Sequence, residues 1–207
     1  MQLQTIRANV YDRLGMVNTD NALTSSVLDN LINGALRQIS MEFDWPWLTS
    51  TDATFTATVA GTQDYTPHAT WKSTQYIVTD TDNLLKAKQP ADAARYSNFE
   101  GYPQFYSIEG SKIRLFPVPD AVYTVRHVFT RFEPPITGDT DEPLMPDWAI
   151  DLLVITTAHM AAGRLRDRDL QAALRPELDR LMSSIKDEVR RTRATVDPQH
   201  RRDIGWG

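Results

Sequence analysis

The stretch GYPQFYSIEGSKIRLFPVPDAVYTVRHVF, residues 101–129, has the clearest structural pattern in the chain. Apolar and polar residues roughly alternate in three runs, 104–108, 112–116 and 123–129, which places every second side chain on one face of a sheet. Gly110 lies where a tight hairpin needs positive φ, and Pro117 and Pro119 end the second run because proline cannot donate to a strand ladder. The stretch predicts an antiparallel meander of three strands.

The overall composition is that of an ordinary globular chain. The 207 residues are 41% hydrophobic and 24% charged, and no apolar run approaches the roughly 18 residues that a membrane span requires. The first residues make a poor signal peptide, so we expect the product to stay intracellular. The absence of cysteine excludes disulfides, thiolate metal sites and cysteine nucleophiles. The net charge of -5 argues against a protein whose main task is gripping DNA phosphates.

Apolar residues at helical spacing lie on both sides of the meander in sequence. A first short helix covers residues 2–14, and the turn at 19–21 offers capping chemistry before a second helix over 27–43. A third helix starts at Met145-Pro146-Asp147. After a break at 166–169, a longer fourth helix runs to residue 189. These segments predict two antiparallel helical pairs.

The segment between these pairs has the composition of strands. Residues 51–88 are rich in Thr, Val, Tyr and Phe, and they predict further strands of the same sheet system, the first of them over 54–59. The fold class is therefore α+β, an antiparallel helical bundle with an inserted antiparallel β-sheet or sandwich module. We place the helical module at 1–48 and 144–190, the β module at 49–143 and an extended C-terminal tail at 191–207.

Side chains that could carry chemistry are scattered. No GxSxG, P-loop, GxGxxG or HExxH motif is present. The histidines have no second ligand at a metal-binding spacing, and we interpret them as structural. They are His68, His127, His159 and His200. We expect no catalytic residue, no metal site and no cofactor.

Two further groups have a simple structural interpretation. Asp80 and Asp82 could bind calcium weakly, but their loop lacks the other ligands of an EF-hand, so a solvated hairpin turn is the better interpretation. Trp45, Trp47 and Trp148 are most simply core side chains.

Two segments remain as candidates for binding a partner. The polar, proline-rich loop that follows Phe132 is long for a compact domain, which indicates a functional loop or an interface arm. Its candidate contact residues are Glu133, Pro134, Pro135, Asp139, Asp141 and Pro143.

The second candidate is the arginine-rich C-terminal tail. It is either a disordered end or a segment that folds onto an acidic or grooved surface of another protein, with Trp206 as the anchor and the arginines as steering charges. Its candidate residues are Arg190, Arg191, Arg193, Arg201, Arg202, Ile204 and Trp206.

The order of these pieces resembles a known family. Two helices, a tryptophan-rich exit, threonine-rich strands, the pattern G-x-P-x-x-Y-x-I-x-G-x-x-I-x-L-x-P-x-P-D-x-x-Y and the run E-P-L-M-P-D-W are similar to the head-to-tail adaptors of tailed bacteriophages. The matching positions are Gly101, Pro103, Tyr106, Ile108, Gly110, Ile113, Leu115, Pro117, Pro119, Asp120, Tyr123, Pro143 and Pro146.

The resemblance implies a virion structural protein made in the host cytoplasm. Family members form a ring, usually of twelve copies, that docks beneath the portal protein at the capsid vertex. The other face of the ring meets the next tail component, which is a nozzle, tail tube or stopper. The tail of this chain would then dock on the portal, and DNA would pass through the channel without specific binding. No membrane is involved.

Two alternatives belong to other functional classes. A glycan hydrolase of the cell wall, carried by a phage, could use a carboxylate pair such as Glu100 and Asp120. A nucleic-acid binder could use the basic tail, with an affinity that falls as salt rises.

Overall fold

The computed structural model describes residues 1–16, 23–79 and 83–196. The helices are α1 (Leu3–Arg13), α2 (Ser25–Glu42), α3 (Pro90–Ala93), α4 (Ile150–Leu165) and α5 (Arg168–Val196). The strands are β1 (Thr49–Thr51), β2 (Asp64–Tyr65), β3 (Trp71–Thr79), β4 (Lys86–Ala87), β5 (Phe105–Glu109), β6 (Lys112–Phe116) and β7 (Val125–Arg131). The predicted α+β class is confirmed.

The chain divides into two compact units. The helical unit consists of Met1–Leu48 and the described residues from Glu133 onward, and the β unit is Thr49–Phe132. The predicted end of the β module at residue 143 is therefore wrong. Segment 133–143 belongs to the helical unit because its backbone bonds to α1: the Leu3 amide donates to the Asp141 carbonyl at 2.9 Å and the Gln4 amide to that of Asp139 at 3.1 Å.

Helix α4 forms the centre of the helical unit. Every side chain from Leu152 to Ala158 is buried, and a helix that is apolar on all sides must be enclosed by other elements. α1, α2 and α5 all pack against it. The buried hydroxyls of Thr156 and Thr157 donate to the carbonyls of Leu152 and Leu153 at 2.6 and 2.8 Å, which removes the cost of unpaired donors.

The ends of the helices follow local chemistry. α1 closes at Gly15, which adopts φ 65°. The hydroxyl of Thr24 caps α2 by accepting from the Val27 amide at 3.4 Å; the capping residues predicted at 19–21 lie outside the described residues. The predicted break before the last helix is confirmed but is shorter than the predicted 166–169, because α5 begins at Arg168. Arg166 ends α4 in the left-handed region, and the Asp167 carboxylate accepts from the Leu170 amide at 2.9 Å.

Helix α5 is longer than predicted. It continues to Val196, so the extended tail does not start at residue 191. The apolar stripe ends at Val189, but beyond it Arg190 and Arg191 form ion pairs with acids three residues earlier in the same helix. Such pairs support a helix after its apolar face has ended.

The β unit contains two sheets, with strand orders β1-β7-β3 and β2-β6-β5-β4. The predicted hairpin is confirmed, because β5 pairs with β6 from Phe105↔Phe116 to Glu109↔Lys112 around Gly110 at φ 62°. The predicted three-stranded meander is wrong, because β7 lies in the other sheet, between β1 and β3. Residues 117–122 carry the chain away from β6, and alternation along β7 does not specify its neighbour.

Two further expectations for the β unit need correction. The sheet with β5 is not purely antiparallel, because β4 runs parallel to β5 in the register Lys86↔Phe105. Residues 54–59 form no regular strand and contribute only the bridge Ala57↔Thr124. The apolar core of this unit nevertheless joins both sheets. Its members are Phe55, Tyr65, Ile77, Leu85, Tyr106, Ile113, Leu115 and Val125.

The central position of α4 predicts a large effect of truncation there. We expect Leu153→Ala to lower the free energy of unfolding by about 2–5 kcal/mol, because Leu153 is fully buried and its loss leaves a cavity. Leu144→Ala is the control, since Leu144 is 38% exposed in the same unit. Urea unfolding of both variants measures the difference, and equal losses would contradict a core centred on α4.

Candidate interaction surfaces

The arginines predicted for a docking tail fall into two groups. Arg190, Arg191 and Arg193 are exposed side chains on α5, not on an extended segment. The remaining predicted residues, Arg201, Arg202, Ile204 and Trp206, lie outside the described residues. Two of the helical arginines are partly neutralised, since Arg190 contacts Asp187 at 3.1 Å and Arg191 contacts Glu188 at 3.4 Å.

The end of α5 is held by the residues that follow α2. The guanidinium groups of Arg190 and Arg193 lie 5.8 and 5.5 Å from the centre of the Phe43 ring, within the range of cation–π attraction. Arg193 also donates to the Asp44 carbonyl. Earlier in α5, Lys186 contacts Glu42, the last residue of α2, at 3.3 Å. The last described turns of α5 are therefore fixed on the helical unit.

Glu133 is an anchor of the proline-rich loop. It is 8% exposed, its amide donates to the Ser40 hydroxyl at 3.1 Å, and its carboxylate accepts from the Leu144 amide. Glu133 thus joins both ends of the loop through its side chain and connects the loop to α2 through its backbone amide. Asn33 adds a second connection, because its amide group bonds to both the amide and the carbonyl of Ile136 at 2.9 Å.

The two aspartates of the loop organise its turn. Asp141 accepts from the amides of Thr137 and Gly138 at 2.9 and 2.7 Å, and these hydrogen bonds lower the pKa of its carboxyl group. Asp139 accepts from Arg7 at 2.6 Å, and the same guanidinium bonds to Asp29 at 2.8 Å. Arg7 therefore connects α1, α2 and the loop. The loop, residues 133–146, lies along these helices, and we call it the strap.

The exposure of the predicted loop residues differs along the strap. Pro143 is buried and Pro134 is half-buried, whereas Pro135, Asp139 and Asp141 are exposed. Outward-facing side chains therefore lie on a backbone that is fixed by hydrogen bonds to the helices.

The three tryptophans interpreted as core side chains also differ in their exposure to solvent. Trp45 is fully buried, and its indole N–H donates to the Ile39 carbonyl at 2.7 Å. Trp47 stacks on Trp45 with ring centres 4.8 Å apart. Trp148 contacts the edge of Trp47 but is 57% exposed, so its assignment to the core is wrong.

A buried polar network in the β unit was not foreseen from the sequence. Asp52 and His127 are buried and 3.1 Å apart. The other ring nitrogen of His127 lies 3.1 Å from the Thr74 hydroxyl, which also accepts from the Trp71 indole at 3.1 Å. Asp52 and His127 are 75 residues apart, and no local motif joins them.

The environment of this pair fixes its charge state. Burial raises the pKa of Asp52, but hydrogen bonds from Thr54, His127 and His68 outweigh that effect and lower the value to about 2. Burial lowers the pKa of His127, and the hydrogen bond and charge of Asp52 oppose this only in part. The network therefore consists of a carboxylate and a neutral imidazole. The histidine is enclosed, which suits a structural role.

These shifts predict that acid destabilises the β unit. The native pKa of His127 lies below its unfolded value, so its contribution is complete above about pH 6.5 and declines as the pH falls below that value. Asp52 adds a second loss, of roughly 2 kcal/mol, as the pH falls through about 4 towards 2. Urea unfolding at several pH values measures both steps.

The substitution Asp52→Asn distinguishes the contribution of this network to stability from the general effect of acid on the protein. One carboxylate oxygen accepts from the His68 amide and the other from the Thr54 and Phe55 amides. In either orientation the asparagine N–H₂ would therefore face a backbone donor, and we expect a loss of about 2 kcal/mol at pH 7. The loss should shrink at pH 3. The control is Asp64→Asn, which removes a carboxylate from the partly exposed pair with Arg114. An equal deficit at both pH values would contradict the charge state given above.

A groove of about 310 Å³ runs between α2 and α5 over α4. Ile39, Leu178 and Met182 are the apolar members of a lining that is otherwise polar or charged. The charged groups at its sides are paired within the chain, Glu42 with Lys186 and Arg175 with Asp179 at 3.0 Å.

The remaining predicted candidates lie at the surface or outside the described residues. Glu100 and Asp120 are both exposed, and the Asp120 carboxylate accepts from the Tyr123 hydroxyl at 2.6 Å. Asp80 and Asp82 lie outside the described residues. Within 1–16, 23–79 and 83–196, no three histidine or acidic side chains are placed to hold a metal ion. No helix in these ranges is long and apolar enough to cross a membrane.

Comparison with known proteins shows that the sequence of this chain matches a known family. The model of the SU10 adaptor protein family matches residues 1–202. The match therefore includes both units and most of the segment after α5. None of the curated proteins matches the chain.

Proposed function

Because the chain belongs to the SU10 adaptor protein family, a family of phage head-to-tail adaptors, we propose that it forms a ring joining the portal to the tail. Family membership makes the chain a phage adaptor and a structural component of the virion. The observation that carries the proposal is the extent of the match, residues 1–202, since it includes every element of the fold. The proposed role needs no catalytic group.

The two unlike units suit assembly into a ring. In a closed ring each subunit contacts its neighbours through two different surfaces, and a further pair of surfaces faces the partners above and below. A helical unit and a β unit offer such unlike surfaces within one chain. The ring has twelve copies in this proposal, the number usual among the adaptors that the sequence resembles.

The charge of the chain is compatible with a DNA channel. A lining rich in lysine and arginine would hold DNA through phosphate contacts, whereas an acidic or neutral lining lets it slide. The net charge is -5, and the exposed Arg190 and Arg191 are paired with acids. DNA accordingly passes through the ring without specific binding.

The segment after α5 is the proposed portal-docking tail. Contacts with Phe43 and Asp44 fix Arg190 and Arg193 on the helical unit, and residues 197–207 follow α5 in the sequence. Fully extended, they reach roughly 36–40 Å. Trp206 and Ile204 supply apolar anchors for a pocket on the portal, and Arg201 and Arg202 steer the approach.

The strap is the proposed contact for the next tail component or for a neighbouring subunit. Pro135 and Asp139 are exposed on a backbone that Asn33 and Arg7 hold in place. A surface ordered before binding loses little conformational entropy when the partner arrives.

Truncation after Val196, where α5 ends, tests the role of the tail. The remaining chain keeps the contacts with Phe43 and Asp44 and adds no new cavity, so we expect its thermal unfolding to match that of the full chain. Assembly on purified portal rings, measured by sedimentation, should be lost.

Trp206→Ala in the full-length chain is the matched variant, and it should weaken portal binding by at least roughly tenfold, as expected of an aromatic anchor. Portal binding by the truncated protein at normal strength would refute the docking role. Misfolding of the truncated protein would contradict the assignment of the structural boundary.

A further inference from the structure

Two neighbouring segments of the β unit have almost no charge. We define the uncharged ribbon as residues 53–63 and 117–125, in which Asp120 is the only charged residue. The two segments run antiparallel around the bridge Ala57↔Thr124. For comparison, 24% of all residues in the chain are charged. Exposed β structure normally carries charges that prevent association with other chains, and this ribbon carries only one.

Two large aliphatic side chains project from the ribbon. Continuing the register of the Ala57↔Thr124 bridge by two residues places Val59 opposite Val122, and directly opposed residues share a face. Val59 is 57% exposed and Val122 is 70% exposed. Ala57 and Thr124 on the same face are exposed as well. These four outward-facing side chains are uncharged, and the exposed Asp120 is the one charged residue of the ribbon.

The ribbon is held firmly by hydrogen bonds. The Gly61 amide donates to the Pro119 carbonyl at 2.8 Å, the Thr58 hydroxyl donates to the Ala121 carbonyl at 2.9 Å, and the Val59 amide donates to the Tyr65 hydroxyl at 3.0 Å. The backbone that presents Val59 and Val122 is therefore in place before any partner binds. A preordered apolar surface of this kind favours association.

The net charge of the chain indicates which partner this surface contacts. Each copy has a net charge of -5, so identical copies repel each other at distances up to about the Debye length of 8 Å. Contact between copies is least opposed where neither presents charge, and the ribbon supplies such a surface. A basic partner, by contrast, would be recognised through acidic side chains, which this surface lacks apart from Asp120.

We infer that the uncharged ribbon is a contact between neighbouring copies of this chain, with Val59 and Val122 inserted against the adjacent subunit. The inference rests on the proposed ring and adds the surface through which the ring closes. The contact is heterologous, so Val122 meets a different patch on the neighbour and leaves the neighbour's own Val122 free for the next copy.

The test places a photo-crosslinking amino acid at position 122 of the full-length chain and assembles the variant on purified portal rings. Light should yield ladders of this chain linked to itself. Crosslinks only to the portal or to the next tail component would overturn the inference, as would assembled rings without any crosslink through position 122. Failure of the wild-type chain to form any ring would overturn the proposed ring itself and the inference with it.

Charge substitutions give an independent measurement. Val122→Asp and Val59→Asp replace exposed side chains, so thermal unfolding should be unchanged, while assembly weakens at least roughly tenfold. Val122→Lys should weaken it too, because the contact is apolar rather than acidic. The control is Ile108→Asp, an exposed aliphatic position on β5 outside the ribbon. Assembly that survives the ribbon substitutions, or fails equally with Ile108→Asp, would contradict the inference.

Discussion

The burial of helix α4 is the constraint on which the helical unit depends. Its side chains from Leu152 to Ala158 leave no face for solvent, so three other helices must pack around it. Those helices come from both ends of the sequence, with α1 and α2 before the β unit and α5 after it. Enclosing α4 therefore makes the β unit an insertion in the helical unit. The same requirement brings the end of α5 to Phe43, the residue after α2.

The surface features proposed for assembly are consequences of this packing. The strap follows the helices because Glu133 joins its two ends and Asn33 and Arg7 hold its middle. Its exposed residues are thus presented by a fixed backbone. In the β unit, the buried Asp52–His127 pair connects the segment after β1 to β7, and the uncharged ribbon consists of the segment that follows β1 and the segment that leads into β7. In each unit, a hydrogen-bonded interior supports the exposed surface that we propose for contacts with other subunits or partners.

Local patterns in the sequence predicted the helices and the β5–β6 hairpin, because periodicity and Gly110 act over a few residues. The same patterns could not predict that β7 joins another sheet, since alternation defines a face and not a neighbour. The strap appeared to be an open loop because proline and aspartate are typical of loops, while its partners, Asn33 and Arg7, lie about a hundred residues or more away. Asp52 and His127 were missed for the same reason. The length of α5 was underestimated because ion pairs replace its apolar stripe at Arg190.

The central claim is that this chain is an adaptor that assembles as a ring on the portal. Electron microscopy of the full-length chain mixed with purified portal rings tests it most directly. We expect a closed ring of equal copies, stacked on one face of the portal, with the helical and β units of each copy resolved. Portal particles that carry no copies, or single copies at irregular positions, would contradict it.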